Sequence, residues 1–360
     1  MTTPQPIDVV GAGVIGAAVA WQAARRGHQV RLYDPLLAHG AAQTGASFVA
    51  GGMLAPYSEL VPGDEDLLAL GHASLELWPG FAADLEEATG TDVVTGRGTL
   101  VVGADGADVA ELGRLTERLA ALGHGRAEHL DRAGVRERAP MLARGLRGGL
   151  WLSDESAVGN RTLLSALRRA ATEAGAEAIP ASWPGQTPGR TTVIAAGHAA
   201  GQVLPAPATA RVRPVKGEIL RLRRRSSSPA PPALTVRAHI HGRSVYLVPR
   251  PDGIVVGATM YEHGEDRDVT VAGVRDLLAD AETVFPGVTD YALVDAAAGL
   301  RPMTDDNLPL IGAIDPRTVL ACGHGRGGVL LTPLTVAAVL AALEGTSLPA
   351  AAPADPRRFS

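Results

Sequence analysis

The chain has 360 residues, of which 46% are hydrophobic and 20% charged, and its formal net charge is −5. This composition is typical of a water-soluble globular protein long enough for two domains, and the slight acidity gives no electrostatic argument for nucleic-acid binding. Cys322 is the only cysteine, which excludes a disulfide within the chain and suits a reducing cytoplasm.

The first predicted element is a strand close to the N-terminus. Residues 7–10 form a short apolar run, which is typical of a buried parallel strand. Before this run there is neither a cationic region nor the apolar core that secretory signals have. We therefore expect a cytoplasmic location.

The strand runs into the spacing Gly11-x-Gly13-x-x-Gly16, which is the dinucleotide-binding fingerprint. Gly11 permits a tight turn, Gly13 lets the backbone approach a pyrophosphate, and Gly16 allows close packing of a helix on the strand. Val14 and Ile15 stand at the start of that helix, whose free N–H groups and dipole favour an anion. The pattern predicts a nucleotide site, but NAD and FAD both use it.

A helix and a second strand complete this unit. The alanine-rich stretch from residue 15 predicts a helix with arginines in its last turn and Gly27 just beyond its end. The next strand ends at Asp34, about twenty positions after the glycines, where an acidic residue hydrogen-bonds an adenosine ribose. An acid at this position argues against NADP. The alternative is a glycine-rich turn in an unrelated α/β unit, which would not require all of these elements in this order.

The middle of the chain combines a long loop with helices and a strand. Residues 36–60 are mostly small and show little periodicity, so we expect a loop that runs close to an extended cofactor. Helical patterns follow at 66–90, 108–123 and 161–177. Asn160 is the expected N-cap of the last of these helices. A strand before Gly197 is expected to return to the nucleotide-binding sheet.

The last third is predicted to consist mainly of strands. Their patterns cover 212–224, 243–260 and 290–302, with a hairpin turn at the Pro-Asp-Gly sequence 251–253. A helix interrupts them at 271–287. The chain then shows a strand, a glycine-rich loop and an apolar helix within 318–345. Because this helix is too short and too interrupted by proline to span a membrane, no membrane association is expected.

These elements predict an α/β protein with a Rossmann-like nucleotide-binding domain, built on the βαβ unit of the fingerprint, and an inserted α+β substrate domain on a mostly antiparallel sheet. The two glycine-rich ends of the chain are expected to meet in one discontinuous domain formed by residues 1–80, 146–210 and 296–360. Residues 81–145 and 211–295 are expected to form the substrate domain.

The sequence lacks the signatures of nucleic-acid binding, metal binding and a nucleophilic serine. The basic cluster Arg223 to Arg225 precedes a Ser/Pro segment and is interpreted as a solvated loop rather than a nucleic-acid site. No HExxH or paired CxxC motif occurs, and His239 and His241 share one face of a strand without further ligands, so we expect no metal. No G-x-S-x-G motif marks a nucleophilic serine.

Seven stretches, taken together, resemble the amino-acid-oxidising flavoproteins of the D-amino acid oxidase family, and within it the glycine oxidases of thiamine biosynthesis. They are VVGAGVIGAAVAWQAARRGHQVRLYDP, ASFVAGGMLAP, VIAAG, RPVKGE, VYLVPRPDGIVVGATM, AAGLRPMTDDNLPLIG and GHGRGGVLLTP. The resemblance implies noncovalently bound FAD, since the cysteine to which related sarcosine oxidases attach their flavin lies before the last strand, and Cys322 lies within it. In the second stretch Phe48 and Gly51 depart from the family pattern.

The resemblance also implies a substrate site. Arg301 follows an apolar strand and would hold the substrate carboxylate with its guanidinium fork; the alternative is an arginine that caps the strand or pairs with an internal acid. Tyr246 lies on a strand with two apolar faces and would donate a second hydrogen bond, unless it is a core tyrosine. Met53 and Met260 would be apolar walls, although methionine is more often core filler.

The last loop and the first turn supply the expected cofactor contacts. The loop and the N-terminus of the following helix would stabilise negative charge on the reduced flavin, and Arg326 would face flavin or substrate, unless it is a solvated loop arginine. The complete set of expected cofactor-binding residues is Gly11, Gly13, Val14, Ile15, Gly16, Asp34, Ser47, Gly52, Met53, Gly197, Gly325, Arg326, Gly327, Gly328, Val329 and Leu330.

The activity implied by the resemblance is oxidation of glycine, or a similar small amino acid, to its imine. The imine gives glyoxylate and ammonia, O₂ is reduced to H₂O₂, and the product serves thiamine synthesis. Sarcosine, a small D-amino acid or a glycine-derived group of secondary metabolism are alternative substrates. A nucleotide-binding scaffold without activity and an NAD-dependent dehydrogenase are alternatives of other classes. The family further suggests a homo-oligomer.

Overall fold

The computed structural model describes residues 4–38, 43–124, 126–240 and 242–359. The strands in this part of the chain are β1 Pro6–Val10, β2 Gln29–Tyr33, β3 Met53–Leu54, β4 Val94–Gly103, β5 Ala127–Asp131, β6 Gly148–Val158, β7 Glu177–Ile179, β8 Thr191–Ile194, β9 Arg213–Arg223, β10 Thr235–Ile240, β11 Arg243–Arg250, β12 Gly253–Gly257, β13 Ala292–Met303, β14 Leu310–Asp315 and β15 Thr318–Cys322.

Helices connect and cover these strands. The α-helices are α1 Val14–Arg25, α2 Ala46–Val49, α3 Glu65–Thr89, α4 Gly106–Ala121, α5 Arg132–Arg138, α6 Asn160–Glu173, α7 Ala200–Val203, α8 Val271–Val284 and α9 Thr332–Leu343. Short 3₁₀ turns lie at Pro35–Leu37, Gly197–Ala199, Thr209–Arg211, Pro286–Asp290, Gly325–Gly327, Pro349–Ala354 and Pro356–Phe359. None of the described helices combines the length and the hydropathy needed to cross a membrane.

One sheet has six strands in the order β14-β15-β8-β1-β2-β7. Within it β1 pairs in parallel with β2 and β8, and β15 pairs in parallel with β8. The predicted return of the strand before Gly197 to this sheet is therefore confirmed. The parallel core around β1, followed directly by α1, is the Rossmann-like unit, and the predicted α/β class is confirmed.

Helix α1 covers the centre of this sheet and is itself covered by α6 and α9. Trp21 and nearly every other residue of α1 are buried, which explains why the helix is alanine-rich instead of amphipathic. A Cβ at Gly16 would overlap the carbonyl oxygen of Gly11, so the predicted close packing of helix on strand is confirmed. Gly27 follows the helix with φ +86°, as expected for the residue after a C-cap.

The second sheet has nine strands, in the order β13-β9-β12-β11-β10-β4-β6-β3, with β5 paired to β6. All neighbours are antiparallel except β10 and β4. The predicted hairpin turn at residues 251–253 joins β11 to β12 and is confirmed. Among the described strands of this sheet only β10, β11 and β12 are joined by tight turns, and the other antiparallel pairs come from distant parts of the chain.

Two details differ from the sequence-based expectations. Asn160 is the first residue of α6 and Gly159 is its N-cap, without a side-chain cap, so the predicted Asn160 cap is wrong. The loop at 36–60 contains α2 and β3, and β3 pairs with β6 in the nine-stranded sheet. Both β3 and β6 thus lie in the nine-stranded sheet, within ranges assigned from the sequence to the nucleotide-binding domain. The domain boundaries remain a prediction.

Candidate active site

A cavity of about 490 Å³ lies between the two sheets. It begins at the carboxyl ends of β1, β8 and β15, where an open α/β sheet places its ligands. It extends to the face of the nine-stranded sheet, which contributes Ile219 from β9, Tyr246 from β11 and Arg301 from β13. Its volume is within the range of small-molecule and cofactor sites.

The turn after β1 forms one end of this cavity. Gly11 has φ +103°, and a Cβ on it would overlap the carbonyl oxygen of Ala195, so only glycine fits. A Cβ on Gly13 would lie 3.0 Å from the hydroxyl oxygen of Ser47. That hydroxyl accepts a hydrogen bond of 3.0 Å from the N–H of Val14, the first residue of α1. The result is an open backbone surface that a phosphate group can approach.

Asp34 lies at the end of β2 and lines the same region. Its Oδ2 accepts from the N–H of Ala12 at 2.7 Å, and its Oδ1 accepts from the N–H of Leu36 at 2.8 Å. These bonds fix the carboxylate against the glycine turn. Since an ionised carboxylate has about four acceptor positions, Asp34 can still accept from a ribose hydroxyl.

The segment around α2 is held from behind by two polar side chains. The Asn160 side chain donates to the carbonyls of Ser47 and Phe48, each at 2.9 Å. Arg250 donates to the carbonyl of Gly51 at 2.6 Å. Because these carbonyls are engaged behind the segment, α2 and the residues after it form a rigid wall of the cavity. This use of Asn160 explains why it does not cap α6.

Arg301 stands at the opposite end, beside the backbone of β9. A Cβ on Gly217 would overlap the Arg301 guanidinium, so the glycine provides the space that this group occupies. The Arg301 Nη1 donates to the carbonyls of Thr259 at 3.1 Å and Lys216 at 3.4 Å. Burial lowers the pKa of Arg301, although an arginine remains charged at neutral pH. No carboxylate among the described residues is within 4.0 Å of it, so it is not paired with an internal acid.

Tyr246 lies next to Arg301 and packs over two glycines. A Cβ on Gly51 would come within 2.8 Å of the Tyr246 hydroxyl oxygen, and a Cβ on Gly257 would overlap it. Burial raises the pKa of Tyr246 and outweighs the opposite effect of Arg301, so the hydroxyl keeps its proton. Within the described residues this hydroxyl makes no hydrogen bond, and it lines the cavity as an available donor.

The remaining charges near Arg301 are compensated. Glu59 lines the cavity and accepts from Arg237 at 2.6 Å, and Arg326 pairs with Asp64 at 3.2 Å. Burial acts to raise the pKa of Glu59, but the charges of Arg237, Arg326 and Arg301 outweigh it and hold that pKa below its usual range. At this end of the cavity Arg301 is therefore the positive charge without a carboxylate partner.

The loop between β15 and α9 contributes most of its predicted residues. Gly325, Arg326, Gly328 and Val329 line the large cavity, whereas Gly327 and Leu330 line a neighbouring cavity of about 30 Å³, together with Arg326. Two further lining residues precede the loop's glycines. Burial raises the pKa of the Cys322 thiol to about 12, and burial lowers the pKa of His324 to about 3, so both are neutral at pH 7.

The structure does not bring every predicted residue to the cavity. Gly52, Met53 and Gly197 line it, together with Ile15. Gly16 packs behind the first turn. Met260 does not line the cavity and is 58% exposed, although Thr259 and Tyr261 on either side of it hydrogen-bond to β9. The expectation that Met260 forms a wall of the substrate site is therefore corrected.

Other lining residues were not expected from the sequence. Those with polar or charged side chains include Gln43, Thr44, Glu59, Arg168, His198, Arg267 and His324. Arg168 donates to the carbonyl of Ala12 at 2.9 Å and so reaches the fingerprint turn from α6. For the residues near α2, the small-residue stretch 36–60 had indicated a loop close to the cofactor, without identifying individual contacts. For an arginine within an amphipathic helix, no pattern distinguishes a cavity contact from a solvated position.

Comparisons with known proteins agree with this geometry. The family described as DAO, FAD dependent oxidoreductase, matches residues 7–343. The chain is 30% identical to the glycine oxidase of Geobacillus kaustophilus over 357 residues, covering 93% of this chain and 92% of that protein. The crystal structure of glycine oxidase from Geobacillus kaustophilus superimposes with a TM-score of 0.84 at 29% identity, covering 98% of both chains.

Two other relatives carry the name ThiO. The chain is 33% identical to the putative thiamine biosynthesis oxidoreductase ThiO of Rhizobium etli, covering 91% of this chain and 93% of that protein. It is also 33% identical to the bifunctional protein ThiO/ThiG of Trichormus variabilis, covering 92% of this chain and 52% of that protein. The chain thus spans about half the length of this bifunctional relative.

Proposed function

The chain belongs to the family of FAD-dependent oxidoreductases, and from this premise we propose that it oxidises glycine or a similarly small amino acid. The product is the imine, which hydrolyses to glyoxylate and ammonia, and O₂ is reduced to H₂O₂. Similarity over nearly the whole chain to proteins named glycine oxidase supports this choice within the family.

The cavity fits FAD, the cofactor of this family. The backbone surface at Gly11 and Gly13 can receive a pyrophosphate, and a Cβ at either position would crowd Ala195 or Ser47 and disturb this turn. Asp34 is placed to accept from the ribose, and Ser47 and the loop around Gly325 line the path toward Arg301. When bound there, FAD would supply the hydride acceptor for the substrate carbon and the two-electron reductant for O₂.

The observation that carries the substrate assignment is the uncompensated charge of Arg301. Arg326 and Arg237 each have a carboxylate partner, whereas Arg301 donates only to neutral carbonyls. A guanidinium in a cavity is a strong site for a carboxylate, because its fork forms two parallel hydrogen bonds. The protonated hydroxyl of Tyr246 is placed to donate a third. This pair fixes the orientation of the substrate around its carboxylate carbon.

No base is needed in this scheme if the substrate amine is neutral when it reacts. Glu59 is the carboxylate nearest to Arg301 in the cavity lining, but its pairing with Arg237 and its lowered pKa make it a weak proton acceptor. The chain therefore orients the substrate through its carboxylate, and the redox step needs no further titrating side chain.

A D-amino acid oxidase is the second candidate. The observation that favours it is the position of Met260, which leaves one predicted wall of the substrate site open. Met53 still lines the cavity, and Gly51 lies against Tyr246, so space near the carboxylate site is limited on that side. We place glycine and sarcosine first on this basis.

The proposed cellular role is inferred from the names of related proteins. The name of the Rhizobium etli protein supports a role of the imine in thiamine synthesis, and a role in secondary metabolism is the alternative. A cytoplasmic location and a homo-oligomer are proposed from the sequence and the resemblance. Noncovalent attachment of FAD is proposed because Cys322 is buried within β15 and its raised pKa makes the thiol a poor nucleophile.

The experiment that tests the proposal starts with the visible spectrum of the purified protein. Flavin absorbance supports the flavoenzyme, whereas a colourless protein that reduces NAD would overturn it. A peroxide-coupled screen over glycine, sarcosine, D-alanine, D-proline and L-amino acids then compares kcat/KM. We expect the highest values for glycine and sarcosine. A flavin-containing protein without turnover of any of these compounds would favour the scaffold alternative.

A further inference from the structure

Arg267 reaches the nucleotide end of the cavity from the far side. It lies on the segment between β12 and α8, which belong to the nine-stranded sheet and its covering helix. Its guanidinium donates to the hydroxyl of Thr44 at 2.9 Å and approaches Nε2 of His198 to 3.2 Å. Thr44 precedes α2 and His198 follows β8, and all three side chains line the cavity. Arg267 therefore connects the segment after β12 with the segments before α2 and after β8 in the cavity lining.

The charge of Arg267 is not compensated by its partners. Within the described ranges of the chain no carboxylate is within 4.0 Å of its guanidinium, and its two partners are a hydroxyl and an imidazole. Burial and the nearby charge of Arg267 both lower the pKa of His198, so the ring is neutral at pH 7 and can accept the hydrogen bond. A cation with only neutral partners remains free to pair with an anion.

The position of Arg267 is fixed by its two neighbours in the chain. The fully buried Lys216 of β9 donates to the Asp266 carboxylate at 2.5 Å and also to the carbonyl of Asp268. Lys216 thus anchors the backbone on both sides of Arg267. The same residue presents its carbonyl to Arg301, so Lys216 supports the positions of both arginines. A guanidinium held in place before the ligand binds loses little entropy on binding.

We propose that Arg267 is a cofactor-retaining residue that pairs with the pyrophosphate of FAD and closes the nucleotide end of the cavity. The planar fork of arginine matches phosphate oxygens, and its charge complements the two negative charges of the pyrophosphate. The fingerprint turn supplies backbone N–H groups from one side, and Arg267 supplies a side-chain cation from the other. The proposal depends on FAD binding alone and not on the identity of the substrate.

The test measures cofactor affinity without any substrate. Apoprotein is titrated with FAD, and the dissociation constant is read from the change in flavin fluorescence at two salt concentrations. Arg267→Gln should raise the dissociation constant about five- to thirtyfold, since a hydrogen bond to a charged group is lost at an exposed rim, and should flatten its salt dependence. Arg213→Gln is the matched control, because Arg213 is exposed, pairs with Glu262 and does not line the cavity.

A second titration locates the contact on the ligand. ADP and adenosine are used as competitors, because only ADP carries the pyrophosphate. ADP should bind Arg267→Gln more weakly than the unmodified protein, and adenosine should bind both equally, while circular dichroism checks that the variant is folded. An unchanged dissociation constant for FAD, or an equal loss for ADP and adenosine, would overturn the proposal. A failure of glycine oxidation would leave this result untouched, so the two proposals fail separately.

Discussion

Replacement of Arg301 by alanine tests the substrate site most directly. In the structure Arg326 and Arg237 are already paired with carboxylates, so neither of these two cations is free to take over the role of Arg301. A substrate carboxylate would then enter an enclosed cavity that still contains the negative charge of Glu59. We therefore expect a loss well beyond that of a surface ion pair.

The magnitude follows from the burial and the geometry. Removing one partner of a buried, hydrogen-bonded ion pair costs on the order of 2–5 kcal/mol, which corresponds to a roughly thirty- to several-thousand-fold loss of kcat/KM. Arg301→Lys should also lose much of the activity, because a point charge cannot form the two parallel bonds of the fork. Neither variant should lose FAD, since the nucleotide contacts lie at the other end of the cavity.

The assay is steady-state release of peroxide with glycine at saturating FAD, and the flavin content is read from the visible spectrum. Arg211→Ala is the control, because it removes an exposed arginine whose ion pair with Asp305 lies outside the cavity lining. The control should keep its kcat/KM within about twofold, as expected for an exposed pair. Near-normal turnover of both Arg301 variants would refute the reasoning and would move the carboxylate site elsewhere, with Arg326 as the next candidate.

Three further predictions concern the same cavity. Tyr246→Phe should lower kcat/KM for glycine about ten- to a hundredfold with FAD content unchanged, because one hydrogen bond to a charged group is lost; unchanged kinetics would make Tyr246 a core residue. Acid precipitation should leave the yellow colour in the supernatant, and colour in the pellet would show that Cys322 or another group binds the flavin covalently. Met260→Ala should leave the ratio of D-alanine to glycine activity unchanged, since Met260 is 58% exposed; a raised ratio would return it to the substrate site.

The nucleotide-binding unit could be predicted from the sequence because its signals are local. The spacing of Gly11, Gly13 and Gly16, the apolar strand before them and Asp34 after the next strand are all set within about thirty residues. The role of each of these residues depends on a local backbone conformation or on a contact with a nearby part of the chain. The positive φ of Gly11 and the tight packing at Gly16 are direct consequences.

Contacts that depend on distant chain segments could not be predicted in this way. Asn160 follows a glycine at a helix start and resembles an N-cap, but its amide serves carbonyls more than a hundred residues away. Arg267 meets Thr44 across 223 residues. Met260 ends a strand-like stretch, and the alternation of a strand does not show on which side the chain leaves the sheet.

The order of the six-stranded sheet also determines when the cofactor site can form during synthesis. Strand β1 is made first, but its neighbour β8 follows some 180 residues later, and β15 follows later still. At about 5–20 residues per second, roughly fifteen seconds to one minute passes between the synthesis of β1 and that of β15. Until β8 is made, the edge of β1 that pairs with it has no partner. Until β15 and the loop after it are made, FAD has no complete cavity to enter. FAD can therefore stabilise the protein only near the end of translation.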